Sequence, residues 1–107
     1  MPTTWSETKK GMAYKLSISS EAFTDIDHAY FFYEDQQPRL GERFLFSIEQ
    51  AYEKLTETPQ HYGYINNKKD LRDVRIKNFP FVIIYQIVQD SVLVLRVFNS
   101  SRKPLSL

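Results

Sequence analysis

Apolar and polar residues alternate over Tyr14–Ser19 (YKLSIS), with Tyr14, Leu16 and Ile18 on one side and Lys15, Ser17 and Ser19 on the other. A period of two predicts a strand with one buried face. The period then changes. Ala22, Ile26, Ala29, Tyr30 and Tyr33 recur at helical spacing, and Phe23, Phe31 and Phe32 widen the apolar side. Ser19 or Ser20 can cap this helix, with Glu21 in a first turn where the dipole favours an anion. The helix is predicted to run to about Glu34, broken by the segment from Asp35 to Pro38. Leu40, Phe44, Ile48, Ala51 and Leu55 form a second stripe, predicting a helix from about Pro38 to Glu57. Pro38 suits its first turn and Pro59 lies just beyond its end. A link this short makes the two helices an antiparallel hairpin.

The stretch Gln60–Asp70 reads as a polar loop around Gly63 and the Asn66-Asn67 pair. Three strands are predicted after it: Leu71–Asn78, Phe81–Val88 and Ser91–Phe98. Phe81–Val88 (FVIIYQIV) is apolar almost throughout, as suits a central strand covered on both faces. Gln89-Asp90 makes a tight turn into the last strand. The order is β-α-α-β-β-β, an α+β fold: a four-stranded, mainly antiparallel sheet with a two-helix hairpin packed on one face. The opposite face is then the natural place for a ligand.

With 107 residues the chain is one domain, and its hydrophobic fraction of 42% supports one real core. Residues 1–12 read as a loose tail, with Trp5 its one large apolar group, and residues 13–107 as the domain. There are no cysteines, which excludes disulfides, thiolate metal sites and a cysteine nucleophile. No apolar run approaches a membrane span, and the first residues lack the apolar core of a signal peptide, so a cytoplasmic protein is expected. The net charge of +1 hides an asymmetry. Residues 61–107 carry eight Lys/Arg against three Asp/Glu, while residues 1–36 carry three against six. A basic sheet behind an acidic helix points to a partner with an anionic surface.

The chain resembles the RelE/ParE superfamily of bacterial toxins from type II toxin–antitoxin systems. The resemblance covers about Tyr14 to Pro104. It is carried by the opening strand YKLSIS followed by EAFTDIDHAYFFYE, by AYEKLTETPQHYG at the end of the second helix, and by VRIKNFPFVIIYQIVQDSVLVLRVFNSSRKP. Within these, Arg75, the Phe79-Pro80 turn, Tyr85 and the closing Arg102-Lys103-Pro104 sit where family members have similar residues. The resemblance implies the β-α-α-β-β-β fold and a small toxin neutralised by a cognate antitoxin, with no cofactor and no membrane. It implies promoter DNA as a partner only through the antitoxin complex. RelE-like members cleave mRNA on the ribosome, and ParE-like members inhibit DNA gyrase.

Cleaving RNA by 2′-hydroxyl attack needs proton-transfer groups and cations against the charge building on phosphorus. RelE-like nucleases place an arginine in the central strand and a Tyr or His near the C-terminus. Here the arginine position falls at about Val82, no His or Tyr follows Tyr85, and Asn99 stands where many relatives have His. His28 reads as an exposed surface residue, and His61 lies in the loop before the sheet. The carboxylate pairs Asp25/Asp27 and Glu34/Asp35 read as a solvated face rather than as a metal or acid/base site. Tyr85 reads as a core residue with a hydrogen-bonded tip. Arg96 is either a snorkelling arginine at the sheet margin, sharing a face with Val92, Val94 and Phe98, or an ion-pair partner for an antitoxin carboxylate. Phe31, Phe32 and Phe46 either widen the core or form a docking patch for a partner helix. The expected function is a ParE-like, gyrase-inhibiting toxin that works by binding. Arg75, Lys77, Arg96, Asn99 and Arg102 are the candidate contacts to target or antitoxin. The alternatives are a ribosome-dependent mRNA endonuclease using the same basic face, and a non-toxic antitoxin-binding module.

Overall fold

The computed structural model describes residues 14–65 and 68–101. The tail 1–12 and the closing Arg102-Lys103-Pro104 lie outside the described residues. In chain order the elements are β1 (Lys15–Ile18), α1 (Ser20–Gln36), α2 (Leu40–Glu57), a 3-10 turn (Pro59–His61), β2 (Tyr64–Ile65), β3 (Lys68–Arg75), β4 (Phe81–Val88) and β5 (Ser91–Asn99). They build one sheet of order β1-β5-β4-β3-β2. β1 runs parallel to β5, and every other pairing is antiparallel.

The alternation predicted for β1 is what buries Leu16 and Ile18. The Ser19 hydroxyl accepts from the Ala22 N–H at 3.0 Å, which starts α1. α1 buries Ala22, Ile26 and Ala29, and α2 buries Phe44, Ile48, Ala51 and Leu55 of the predicted stripe, while Leu40 at its start is half-buried. Both helices pack on the sheet face that carries Phe81, Ile83, Tyr85, Val92, Val94 and Val97. Phe44, Phe79, Phe81 and Tyr33 stack edge to face at its centre, with centroids 4.9–6.1 Å apart.

Four details depart from the sequence reading. The sheet has five strands rather than four, because Tyr64–Ile65 pairs with β3 inside the expected loop. β3 begins at Lys68 and ends at Arg75, where the chain bends through Asn78 at φ 70°. α1 runs on to Gln36. α2 starts at Leu40, so Pro38 lies in the turn and not in the helix. The cap of α2 comes from α1. The Glu34 carboxylate accepts the Arg39 N–H at 2.9 Å and the Gly41 N–H at 2.9 Å, which puts a negative charge on the helix N-terminus. Arg39 adopts φ 74° to let the chain reverse so tightly. Gly41 is required there, since a Cβ would sit 2.7 Å from the Tyr30 ring and 2.7 Å from the Tyr30 carbonyl oxygen.

Candidate partner-binding surface

The candidate residues do not form one continuous basic face. Arg75 and Lys77 lie at the β3 end of the sheet, both exposed. They border a groove of ≈ 660 Å³ whose other wall is Ser47, Gln50, Ala51, Glu53, Lys54 and Glu57 of α2. Asp73 also lines it. Partial burial raises the Asp73 carboxyl above its ordinary value, and the charge of Arg75 opposes that shift.

Arg96 lies at the opposite side of the sheet. A register shift between Ile84 and Tyr85 sets Val94 across from Tyr85 but Arg96 across from Ile84. The bulge reverses the alternation, so Arg96 does not share a face with Val92 and Val94 as a regular strand would have it. Its guanidinium reaches Asp25 of α1, with Nε at 2.8 Å and a terminal nitrogen at 2.9 Å. Those hydrogen bonds raise the Arg96 pKa and keep it charged. The same carboxylate accepts the Val97 N–H at 2.9 Å. Arg96, read from sequence as either a snorkelling arginine or a partner for an antitoxin carboxylate, makes its ion pair within the chain, and Asp25 is a structural acceptor rather than a member of a solvated face.

Asn99 is also committed locally. Its side-chain oxygen accepts from the Ser101 N–H at 2.8 Å and the Ser101 hydroxyl at 2.6 Å, closing the turn after β5. Arg102 lies outside the described residues. His28 and His61 are both exposed, on α1 and in the 3-10 turn. Phe31, Phe32 and Phe46 are exposed by 63%, 51% and 60%, so they do not belong to the core.

Two groups fix the segment before β2, and sequence reasoning passed over the first of them, Arg72. Arg72 donates to the Gln60 carbonyl at 3.2 Å, the Tyr62 carbonyl at 2.5 Å and the Tyr64 hydroxyl at 2.9 Å, and its guanidinium lies 4.2 Å from the Tyr64 ring centroid. Tyr85 donates its hydroxyl to the Pro59 carbonyl at 2.7 Å. Burial pushes its phenol pKa up, so it stays a neutral donor. The sequence reading of Tyr85, a core residue with a bonded tip, matches this geometry.

On the face away from the helices, β4 presents Val82 and Ile84, 5% and 2% exposed. Val82 sits between Arg75 of β3 and Phe98 of β5, and Ile84 between Asp73 and Arg96. β4 is thus buried on both faces from Phe81 to Tyr85, as its apolar run predicted, while its end at Val88 is exposed. None of these apolar side chains can move a proton.

A family model described as the ParE toxin of the type II toxin–antitoxin system parDE matches residues 16–104. The chain belongs to the ParE toxin family. A solved structure described as a chromosomal ParDE TA system from P. aeruginosa has the same fold, with a TM-score of 0.71 over 82% of this chain and 96% of that one. At 19% identity the likeness is one of fold. No curated protein matches the sequence. This ParE-family toxin has, among its described residues, no helix long and apolar enough to cross a membrane.

Proposed function

We propose that this ParE-family toxin arrests growth in the cytoplasm by binding and inhibiting DNA gyrase, and that a cognate antitoxin neutralises it by direct contact. The observation that carries this reading is the outer face of β4. Where the RelE-like reaction calls for a central arginine, Val82 is packed away at 5% exposure between Arg75 and Phe98. A nuclease needs a proton acceptor and a proton donor within hydrogen-bond reach of the scissile phosphate. The Tyr85 hydroxyl donates its hydrogen bond to the Pro59 carbonyl inside the core, and the Asn99 side chain accepts from Ser101. Arg75 and Lys77 remain as exposed cations, suited to contact rather than to proton transfer.

The test is inducible expression without antitoxin, with pulse labelling of DNA and protein synthesis. Purified gyrase is assayed in parallel for supercoiling in the presence of the toxin. Early loss of DNA synthesis and inhibited supercoiling are expected. Early loss of protein synthesis with cleaved messages would replace this reading with that of a ribosome-dependent nuclease. No growth arrest at all would leave an antitoxin-binding module without toxicity.

A further inference from the structure

α1 turns large apolar groups to both of its sides. Ala22, Ile26 and Ala29 are buried, whereas Phe31 falls on the side opposite Ala22 at the helical period, and Phe31 and Phe32 are both more than half exposed. Two adjacent rings left in water forgo the burial that stabilises the rest of the core, which marks a contact surface. Both rings are braced from behind. Phe31 meets Tyr30 edge-on with centroids 5.1 Å apart, and Phe32 meets Tyr33 at 5.2 Å. Tyr30 lies against Gly41 where the helices cross, and Tyr33 packs on Phe44, Phe79 and Phe81. Rings placed before binding lose little freedom on docking, as suits the anchors of an interface.

The charge around these rings has one sign. α1 carries five carboxylates and no lysine or arginine. Asp25 is taken by Arg96, and Glu34 by the N-terminus of α2. Glu21, Asp27 and Asp35 are exposed, with Asp27 one turn before Phe31 and Asp35 one turn after it. On α2 the exposed Phe46 stands between Glu42 and Glu49, with Arg43 beside them.

We propose that the outer face of α1 is where the toxin binds its target, and that it takes a cationic surface of DNA gyrase. The proposal rests on the gyrase reading and adds the face used and the chemistry of the contact. Two features agree on a cationic partner. The Asp27 and Asp35 carboxylates pair with Lys or Arg, and the open faces of Phe31 and Phe32 attract a guanidinium laid over them. An enzyme that holds DNA presents Lys and Arg to the phosphates, which supplies the complementary surface. An anionic partner would be repelled from the same face.

The experiment uses the full-length toxin and purified gyrase, with direct binding and supercoiling measured together. Two double variants are compared with wild type, Phe31→Gln with Phe32→Gln and Asp27→Lys with Asp35→Lys. All four side chains are exposed, so the fold should survive, as circular dichroism and the urea midpoint check. Each pair should raise the Kd for gyrase and the toxin concentration for half-inhibition about tenfold or more. Added salt should weaken wild-type binding and weaken the lysine variant less. Wild-type affinity and inhibition in both folded variants overturn the α1 site and leave the gyrase reading intact. Loss with the phenylalanine pair alone, at a salt dependence equal to wild type in the lysine variant, overturns the cationic partner surface. A wild-type dimer that the phenylalanine pair splits without loss of inhibition makes the face a contact between two copies and overturns the proposal. A wild-type toxin that neither binds nor inhibits gyrase overturns both readings.

Discussion

Asp25 is the residue whose loss the structure grades most clearly. Its carboxylate holds three donors, the Arg96 Nε at 2.8 Å, a second Arg96 nitrogen at 2.9 Å and the Val97 N–H at 2.9 Å. Asp25→Ala removes all three. An orphaned backbone N–H costs about 1–3 kcal/mol, and the lower half applies near a sheet edge. Breaking a fully buried ion pair costs about 3–5 kcal/mol, whereas an exposed pair is worth about 0–1 kcal/mol. The side chain of Asp25 is 15% exposed and that of Arg96 37%, so the pair sits nearer the exposed limit. Taken together, Asp25→Ala should cost about 2–3 kcal/mol, a fall in Tm on the order of 10 °C for a chain of this size. Arg96→Ala leaves Asp25 bound to Val97 and should cost about 1 kcal/mol. Urea unfolding of the two single variants and the double variant measures the difference, with a coupling of about 1 kcal/mol expected. If Arg96→Ala proves as damaging as Asp25→Ala, the carboxylate does not close the β5 edge as described, and if the two losses simply add, the Arg96–Asp25 pair contributes no stability.

Three further variants test the packing. Tyr85→Phe leaves the Pro59 carbonyl without its buried donor and should lower stability by about 1–3 kcal/mol, read as a lower urea midpoint at unchanged slope. Gly41→Ala should lose about 1–3 kcal/mol in thermal unfolding, because the new methyl meets the Tyr30 carbonyl as well as its ring, and the helices must part. Wild-type stability in this variant would mean that the helices do not cross so closely. Gln89→Gly should gain about 0.5 kcal/mol, since Gln89 holds φ 57° in the β4–β5 turn, where glycine carries no Cβ penalty. A loss there would show that the glutamine side chain contributes something the turn geometry does not.

The helices were legible because their signal is periodic and local. Phe44, Ile48, Ala51 and Leu55 repeat along one stripe, and the structure buries all four. β4 was legible for a related reason, since a run apolar on both faces leaves few places to sit. Elements without a period were not. β2 is two residues long, too short to show an alternation, and it hid inside the polar loop. The role of Asp25 depends on a residue 71 positions away, and nothing near it in sequence distinguishes it from Asp27. The bulge at Leu95, opposite the step from Ile84 to Tyr85, inverts the phase of β5, so counting by twos from Val94 puts Arg96 on the wrong face. The candidate site was read as charge rather than as geometry. Exposed cations at Arg75 and Lys77 follow from strand alternation, but the groove beside them needs α2 to be in place.

The unequal edges of the sheet bear on how the fold limits strand-to-strand association. An uncovered strand edge invites pairing with any extended chain, and natural sheets blunt it by charge, by a bulge or by covering it. This chain uses a bulge and a carboxylate on β5, where Asp25 closes the edge and Arg96 is held against it. On β3 it uses charge alone, with Asp73, Arg75 and Lys77 at alternate positions. A two-fold pairing centred on Arg75 would oppose Arg75 to itself but set Asp73 against Lys77 twice, so mixed charge alone does not bar a second copy, whereas one centred on Val74 would collide with β2 at Arg72. Asp25 takes the β5 edge out of pairing outright, whereas on β3 the side-chain charges only bias which register a second strand could take.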